Sequence, residues 1–142
     1  YASVPHMRAS EITDKTIEAM SDNDFIIINY ANGDMVGHCG DYDSAVKAVE
    51  SVDAQIGRIL KACDDNNFSL ILTSDHGNCE AMKDDDGNVL TNHTIGDVFC
   101  FVLDKRVKKI TNGTLCNLAN SVFLLMGIDI NKNMLPPLFK LE

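Results

Sequence analysis

The segment NYANGDMVGHCGDYD, residues 29–43, sets Asp34 and His38 four residues apart among three glycines, Gly33, Gly37 and Gly40. A second acid–imidazole pair, Asp75 and His76, stands in TSDHGN, and His93 stands in TNHT. The chain has 4 histidines, and three of them fall in these segments. Carboxylate oxygen together with imidazole nitrogen is the donor set of a borderline or hard divalent cation: Mn²⁺, Zn²⁺, Co²⁺ or Mg²⁺. The glycines give the backbone freedom to bend both side chains of a pair toward one ion, and Gly77 would do the same for the second pair. That bend matters, because neighbours on a straight strand point to opposite faces.

Each motif also has a reading without chemistry. Asp-x-x-x-His pairs are common and usually structural. Asp75 would serve equally as the cap of a helix beginning near Asn78, and His93 as a hydrogen-bonded loop residue. It is the conjunction of two pairs and a third imidazole that points to a metal. Other chemistries lack their residues: there is no GxxxxGK[ST], GxGxxG or GxSxG segment. Ser74, Asp75 and His76 are too close in sequence for a productive Ser–His–Asp arrangement. Asp41, Asp43 and Asp84 to Asp86 read as helix-start and turn acids.

The elements that must position these groups follow from the hydrophobic pattern. Ser10 is placed to cap a helix running to about Met20, with Ala9, Ile12, Ile17 and Met20 as its apolar stripe. FIIINY, residues 25–30, reads as a buried strand. A helix over 42–63 carries Ala45, Val49, Val52, Ile56, Ile59 and Cys63 on one face, with Asp41 and Asp43 at its start, where the dipole favours negative charge, and DDNN at its end. SLILTSD, 69–75, and VFCFVLD, 98–104, are two further buried strands. The last helix spans 114–127, with Leu115, Leu118, Ala119, Val122 and Met126 inward and Gly127 as its stop. DDDGN between the second and third strands marks a hairpin or surface loop.

Strands separated by helices indicate an α/β architecture with a mostly parallel sheet flanked by helices. In such sheets ligands gather at the carboxyl ends of strands. Asp34 and His38 follow the first strand, Asp75 and His76 end the second, and His93 shortly precedes the third. Three strands make a thin sheet with bare edges, so part of the fold is expected outside this chain. The chain also opens on Tyr1 rather than methionine, and reads as cut from something longer.

Composition narrows the function classes. A formal net charge of -9 over 142 residues disfavours a nucleic-acid partner, because a phosphate backbone needs a basic face. Nothing approaches the ~18 consecutive apolar residues of a membrane span, and YASVPHMRAS has no signal-peptide pattern. The 5 cysteines are odd in number and lack CxxC spacing, so they read as reduced thiols of a cytoplasmic protein, most of them small core fillers. The sequence leaves the oligomeric state open.

YANGDMVGHCGDYDSAVKAVESVDAQIGRIL and LILTSDHGNCEAM closely resemble the cofactor-independent phosphoglycerate mutases of the alkaline phosphatase superfamily. PHMRASEITDKTIEAM is similar to the family's segment before its strand, and LCNLANSVFLLMGI to its closing helix. The resemblance spans nearly the whole chain. It implies a partial alkaline-phosphatase-like three-layer fold and an enzyme that interconverts 3-phosphoglycerate and 2-phosphoglycerate in glycolysis without 2,3-bisphosphoglycerate. Two divalent metals, usually Mn²⁺, and a phosphoserine intermediate are implied. By motif match, Asp34, His38 and His93 resemble the ligands of one ion, and Asp75 and His76 ligands of the other.

The family's nucleophilic serine, a further aspartate and the domain that grips the glycerate have no counterpart in these 142 residues. Residues 1–142 are therefore expected to be the C-terminal portion of the metal-binding phosphatase-like domain, inactive alone. The stretch after His93-Thr94 (IGDVFC), His6 and the tail NMLPPLFKLE depart from the usual pattern, but the five metal positions do not. A related metallophosphatase or phosphopentomutase, or a non-catalytic cation-binding module, are the competing readings. A native start site just upstream of Tyr1 would favour the last.

Overall fold

Apolar spacing makes the first helix, but polar residues fill its buried side. In the computed structural model, which describes residues 1–142, α1 spans Ala9–Ala19. Ala9 and Met20 are buried as expected, while Thr13 and Thr16 replace Ile12 and Ile17 on the inner face. Both threonines satisfy their hydroxyls on carbonyls one turn back, Ala9 O at 2.9 Å and Ile12 O at 2.8 Å. Ser10 does not cap the helix: Arg8 holds that position without a side-chain bond, and Ser10 instead accepts from Arg58 Nη1 at 3.3 Å.

α3, Tyr42–Asn66, begins where the acids placed it, with the Asp41 carboxylate accepting from Ser44 N at 2.7 Å. It stops at Asn67, which takes the left-handed conformation at φ 58°. Its buried residues are Ala45, Ala48, Ile59, Ala62 and Cys63, whereas Val49 is half exposed. The small side chains at Ala45 and Ala48 let another segment approach closely. α2, Asn32–Gly37, does so: Val36, Ala45, Ala48 and Met82 form a buried cluster with Cys79 packed against it. Burying Val36 in this cluster stabilises the docked α2 by about 1.5–3 kcal/mol.

Two units compose the chain, Tyr1–Asn67 with His76–Val98, and Phe68–Asp75 with Phe99–Glu142. The first holds α1, α2, α3 and an irregular segment. Of the hairpin or surface loop expected at 84–88, that segment contains a tight hairpin, where Gly87 turns at φ 84° and Lys83 bridges Val89. Phe25–Tyr30 is not the buried strand expected. It forms no ladder, and Ile27 is 79% exposed, because the first unit offers no strand whose N–H and C=O groups would pair with it.

The second unit carries all the strands: β1 Leu70–Thr73, β2 Cys100–Leu103, β3 Val107–Ile110 and β4 Phe139–Leu141, with α4 at Leu118–Met126. The α/β class holds, but the ladders this chain builds are not parallel. β1 runs antiparallel to β2, with Leu70 opposite Leu103 and Thr73 opposite Cys100, and β3 runs antiparallel to β4. A long connection permits either direction, so the sequence could not set it. A 3-10 turn, Leu115–Asn117, leads into α4, which Gly127 ends in the left-handed conformation at φ 69°. The inner face of this helix is polar, with Asn117, Asn120 and Ser121 buried and Leu115 and Met126 largely exposed.

Within this unit Asp104 is a structural anchor. Its carboxylate accepts from Arg106 Nε at 3.0 Å and Nη2 at 2.7 Å, from Arg106 N at 2.8 Å and from Ser69 Oγ at 2.5 Å. The Arg106 guanidinium, helped by the Ser69 hydroxyl, outweighs partial burial and holds the Asp104 carboxyl far below the usual carboxylate range. A carboxyl whose folded pKa is depressed stabilises the fold above its unfolded pKa, and that contribution disappears as pH falls below about 4. Asp104→Asn is therefore expected to cost about 1–3 kcal/mol near neutral pH. Urea unfolding at a series of pH values checks this: the gap between wild type and variant should narrow steadily under acid. A gap that stays constant would show that the charge contributes nothing.

Candidate metal centre

The first unit brings three of the expected ligands to one point. α2 is a single short helix that carries Asp34, and His38 is its C-cap with helical dihedrals, so the two stand at i and i+4 on the same face. His38 Nε2 lies 3.0 Å from Asp34 Oδ1. His93 Nε2 lies 2.9 Å from the same oxygen and 3.1 Å from His38 Nε2. Residues 91–94 are held in place by Thr94 N donating to Gly77 O at 3.0 Å.

The tautomer of His38 follows from its neighbours. Its Nδ1 stands 2.5 Å from Thr91 O. A carbonyl only accepts, so Nδ1 carries a proton, and in the neutral ring Nε2 presents a lone pair. That lone pair faces a carboxylate oxygen and a second imidazole nitrogen. Acceptors converging in this way need a proton or a cation between them, and an acid with two imidazoles suits a divalent cation. Asp34, His38 and His93 together could hold one. Their side chains are 32%, 41% and 47% exposed, so the cluster is open on one side.

His76 lies at the edge of this cluster. Its ring stacks on that of His93 with centroids 3.6 Å apart and planes 18° from parallel, and its Nε2 is 3.9 Å from Asp34 Oδ1. Asp75 falls in the other unit, two residues after β1, at the end of Phe68–Asp75. It caps no helix, because none begins near Asn78. Burial works against ionisation of Asp34. The Asn78 amide and the imidazoles of His38 and His93 outweigh it and hold the carboxyl below its usual range.

Sequence reasoning missed the supporting groups. Asn78 Nδ2 donates to Asp34 Oδ1 at 3.1 Å. Glu80 accepts from Asn78 N at 2.7 Å and from the Thr94 hydroxyl, tying together the segments that carry His76 and His93. The Thr94 bond, chiefly, keeps the Glu80 carboxyl below its usual range. The only trace of this in the sequence is the pair of polar residues Asn78 and Glu80 just after His76. The glycines have specific reasons too. A Cβ on Gly37 would strike the Asn78 carboxamide. Gly40 turns at φ 69°, where a Cβ would stand 2.6 Å from Val89 Cγ1.

The cysteines are all free thiols. Cys63 is buried, but Cys39 and Cys116 are exposed and fill no core. No helix is long and apolar enough to cross a membrane.

Comparisons with known proteins give the chain relatives. The chain is 52% identical over 139 residues to the 2,3-bisphosphoglycerate-independent phosphoglycerate mutase of Aliarcobacter butzleri, covering 97% of this chain and 28% of that protein. The enzyme of the same name from Helicobacter pylori is 52% identical over 140 residues, covering 98% of this chain and 28% of its own length. The chain thus spans under a third of the curated relatives it matches. Among solved structures, a Leishmania mexicana phosphoglycerate mutase studied at low cobalt concentration superposes with a TM-score of 0.90 at 33% identity, over 100% of this chain and 30% of that one. Residues 1–130 match the family model described as the metalloenzyme superfamily, and the chain belongs to that superfamily.

Proposed function

We propose that these 142 residues are the C-terminal, metal-binding portion of a cytoplasmic 2,3-bisphosphoglycerate-independent phosphoglycerate mutase. The whole protein would interconvert 3-phosphoglycerate and 2-phosphoglycerate in glycolysis through a phosphoserine. The observation that carries this reading is the convergence of Asp34, His38 and His93 within 3.1 Å of one another, in a chain half identical to enzymes of that name. Asp34, His38 and His93 are assigned to one ion. Asp75 and His76 are assigned to a second, on the sequence motif alone. Mn²⁺ is the proposed metal, with Zn²⁺, Co²⁺ and Mg²⁺ able to use the same donors. In the whole protein the sheet is taken to be mostly parallel and flanked by helices, with Phe25–Tyr30 as one of its strands.

When bound, divalent ions neutralise a transferring phosphoryl group and lower the pKa of an attacking hydroxyl. This chain's residues prepare for that. Thr91 O fixes the tautomer that frees His38 Nε2, and Asp34 contributes the negative charge that draws a cation. The nucleophilic serine and the groups that grip the glycerate are assigned to segments outside these residues.

The test is conversion of 3-phosphoglycerate by the whole protein, with Mn²⁺ supplied and 2,3-bisphosphoglycerate omitted. Turnover that requires Mn²⁺ is the expected result, with none from residues 1–142 alone. A folded whole protein that is inactive on 3-phosphoglycerate but cleaves other phosphate esters would overturn the substrate assignment.

A further inference from the structure

We infer that Asn78 is a positioning residue for the metal centre, and that Gly37 lacks a side chain in order to admit it. The inference rests on the proposed metal role of Asp34. Asn78 is only 7% exposed. Its Nδ2 donates to Asp34 Oδ1 at 3.1 Å and to the main-chain Asp34 O at 3.4 Å, so it holds side chain and backbone of one ligand together. Its own N–H is held by Glu80 Oε2 at 2.7 Å. The oxygen it grips is the one that His38 and His93 face.

This contact removes a degree of freedom that α2 cannot remove itself. A carboxylate on a short, partly open helix turns freely about its side-chain bonds. An amide donor on Asp34 Oδ1 fixes the orientation before any cation arrives, which lowers the ordering cost of binding. The residue type is specific. Aspartate at 78 would place a second carboxylate against Asp34, and alanine would leave the carboxylate unheld. Gly37 completes the device, since any Cβ there would displace the Asn78 carboxamide.

The experiment titrates Mn²⁺ into the whole protein, following free Mn²⁺ by electron paramagnetic resonance, for wild type, His38→Ala, Asn78→Ala and Asn78→Leu. Both Asn78 variants are expected to bind Mn²⁺ about 10–100-fold more weakly than wild type. Asn78→Leu keeps the bulk against Gly37, so it carries the comparison should Asn78→Ala fail to fold. A second readout separates positioning from mere stability. At saturating Co²⁺ the visible absorption bands should shift in the Asn78 variants, because the Asp34 oxygen is re-aimed. Wild-type Mn²⁺ affinity and unchanged Co²⁺ bands in the Asn78 variants, with binding lost in His38→Ala, would overturn the positioning role alone. Equal affinity in wild type and His38→Ala would overturn the metal centre and the role of Asn78 with it.

Discussion

His38→Ala in the whole protein is expected to weaken Mn²⁺ binding and mutase turnover by more than about 100-fold, beyond the range for losing a supporting group. The reason is geometric. His38 Nε2 forms a cluster of three ligand atoms with Asp34 Oδ1 and His93 Nε2, and in the neutral ring the bond to Thr91 O leaves it as a lone-pair donor. Alanine leaves Asp34 and His93 as a two-point site with no third direction of closure. The fold should tolerate the change, because the His38 side chain is 41% exposed and belongs to no buried cluster. Helical content by circular dichroism and the thermal midpoint should therefore stay close to wild type while metal binding is lost. Retained Mn²⁺ affinity would remove His38 from the centre. Loss of fold together with binding would instead give His38 a structural role.

The Asp34–His38 pair was legible because it depends on residue type and short spacing. An acid and an imidazole four apart need only one helical turn to share a face, and α2 supplies it. The groups that steady them were not legible. Asn78 reaches Asp34 across 44 positions of sequence, and Thr91 O is a backbone atom that any residue would provide. α1, α3 and α4 came through roughly in extent because their apolar spacing and end signals are local; the acidic start at Asp41 and the Gly127 stop fall where read. Their inner faces came through poorly. In α1 and α4 every buried position but Ala9 is threonine, asparagine or serine, whose burial depends on which backbone lies opposite. The antiparallel β1–β2 direction and the β3–β4 pair were not legible for the same reason: pairing is a long-range choice that the pattern of one strand does not contain. Phe25–Tyr30 shows the converse, a clear strand pattern with no partner in its own unit.

Asn120→Ala is expected to give the largest stability loss, about 3 kcal/mol, from three hydrogen bonds each worth about 1 kcal/mol net. Asn120 is fully buried. Its Nδ2 donates to Asn131 O at 3.0 Å and Leu135 O at 2.8 Å, and its Oδ1 accepts from Asn131 N at 2.9 Å. Two neighbours on the same face continue the clasp: Asn117 Nδ2 donates to Pro136 O at 2.7 Å, and Ser121 Oγ accepts from Leu138 N at 3.0 Å. One polar face of α4 thus grips the backbone of 131–138 and delivers Phe139 to its ladder with β3. Leucine at these places would be a better core residue by hydropathy and a worse one here, because the passing carbonyls would lose their donors. Asn120→Asp separates the two halves of the clasp, keeping the acceptor while setting a carboxylate against two carbonyl oxygens. It should be at least as destabilising as alanine. Urea unfolding measures the loss, and amide exchange at Phe139–Leu141 should accelerate in both variants. If Asn120→Asp proves milder than alanine, the acceptor side holds the tail, and the two donated bonds add little.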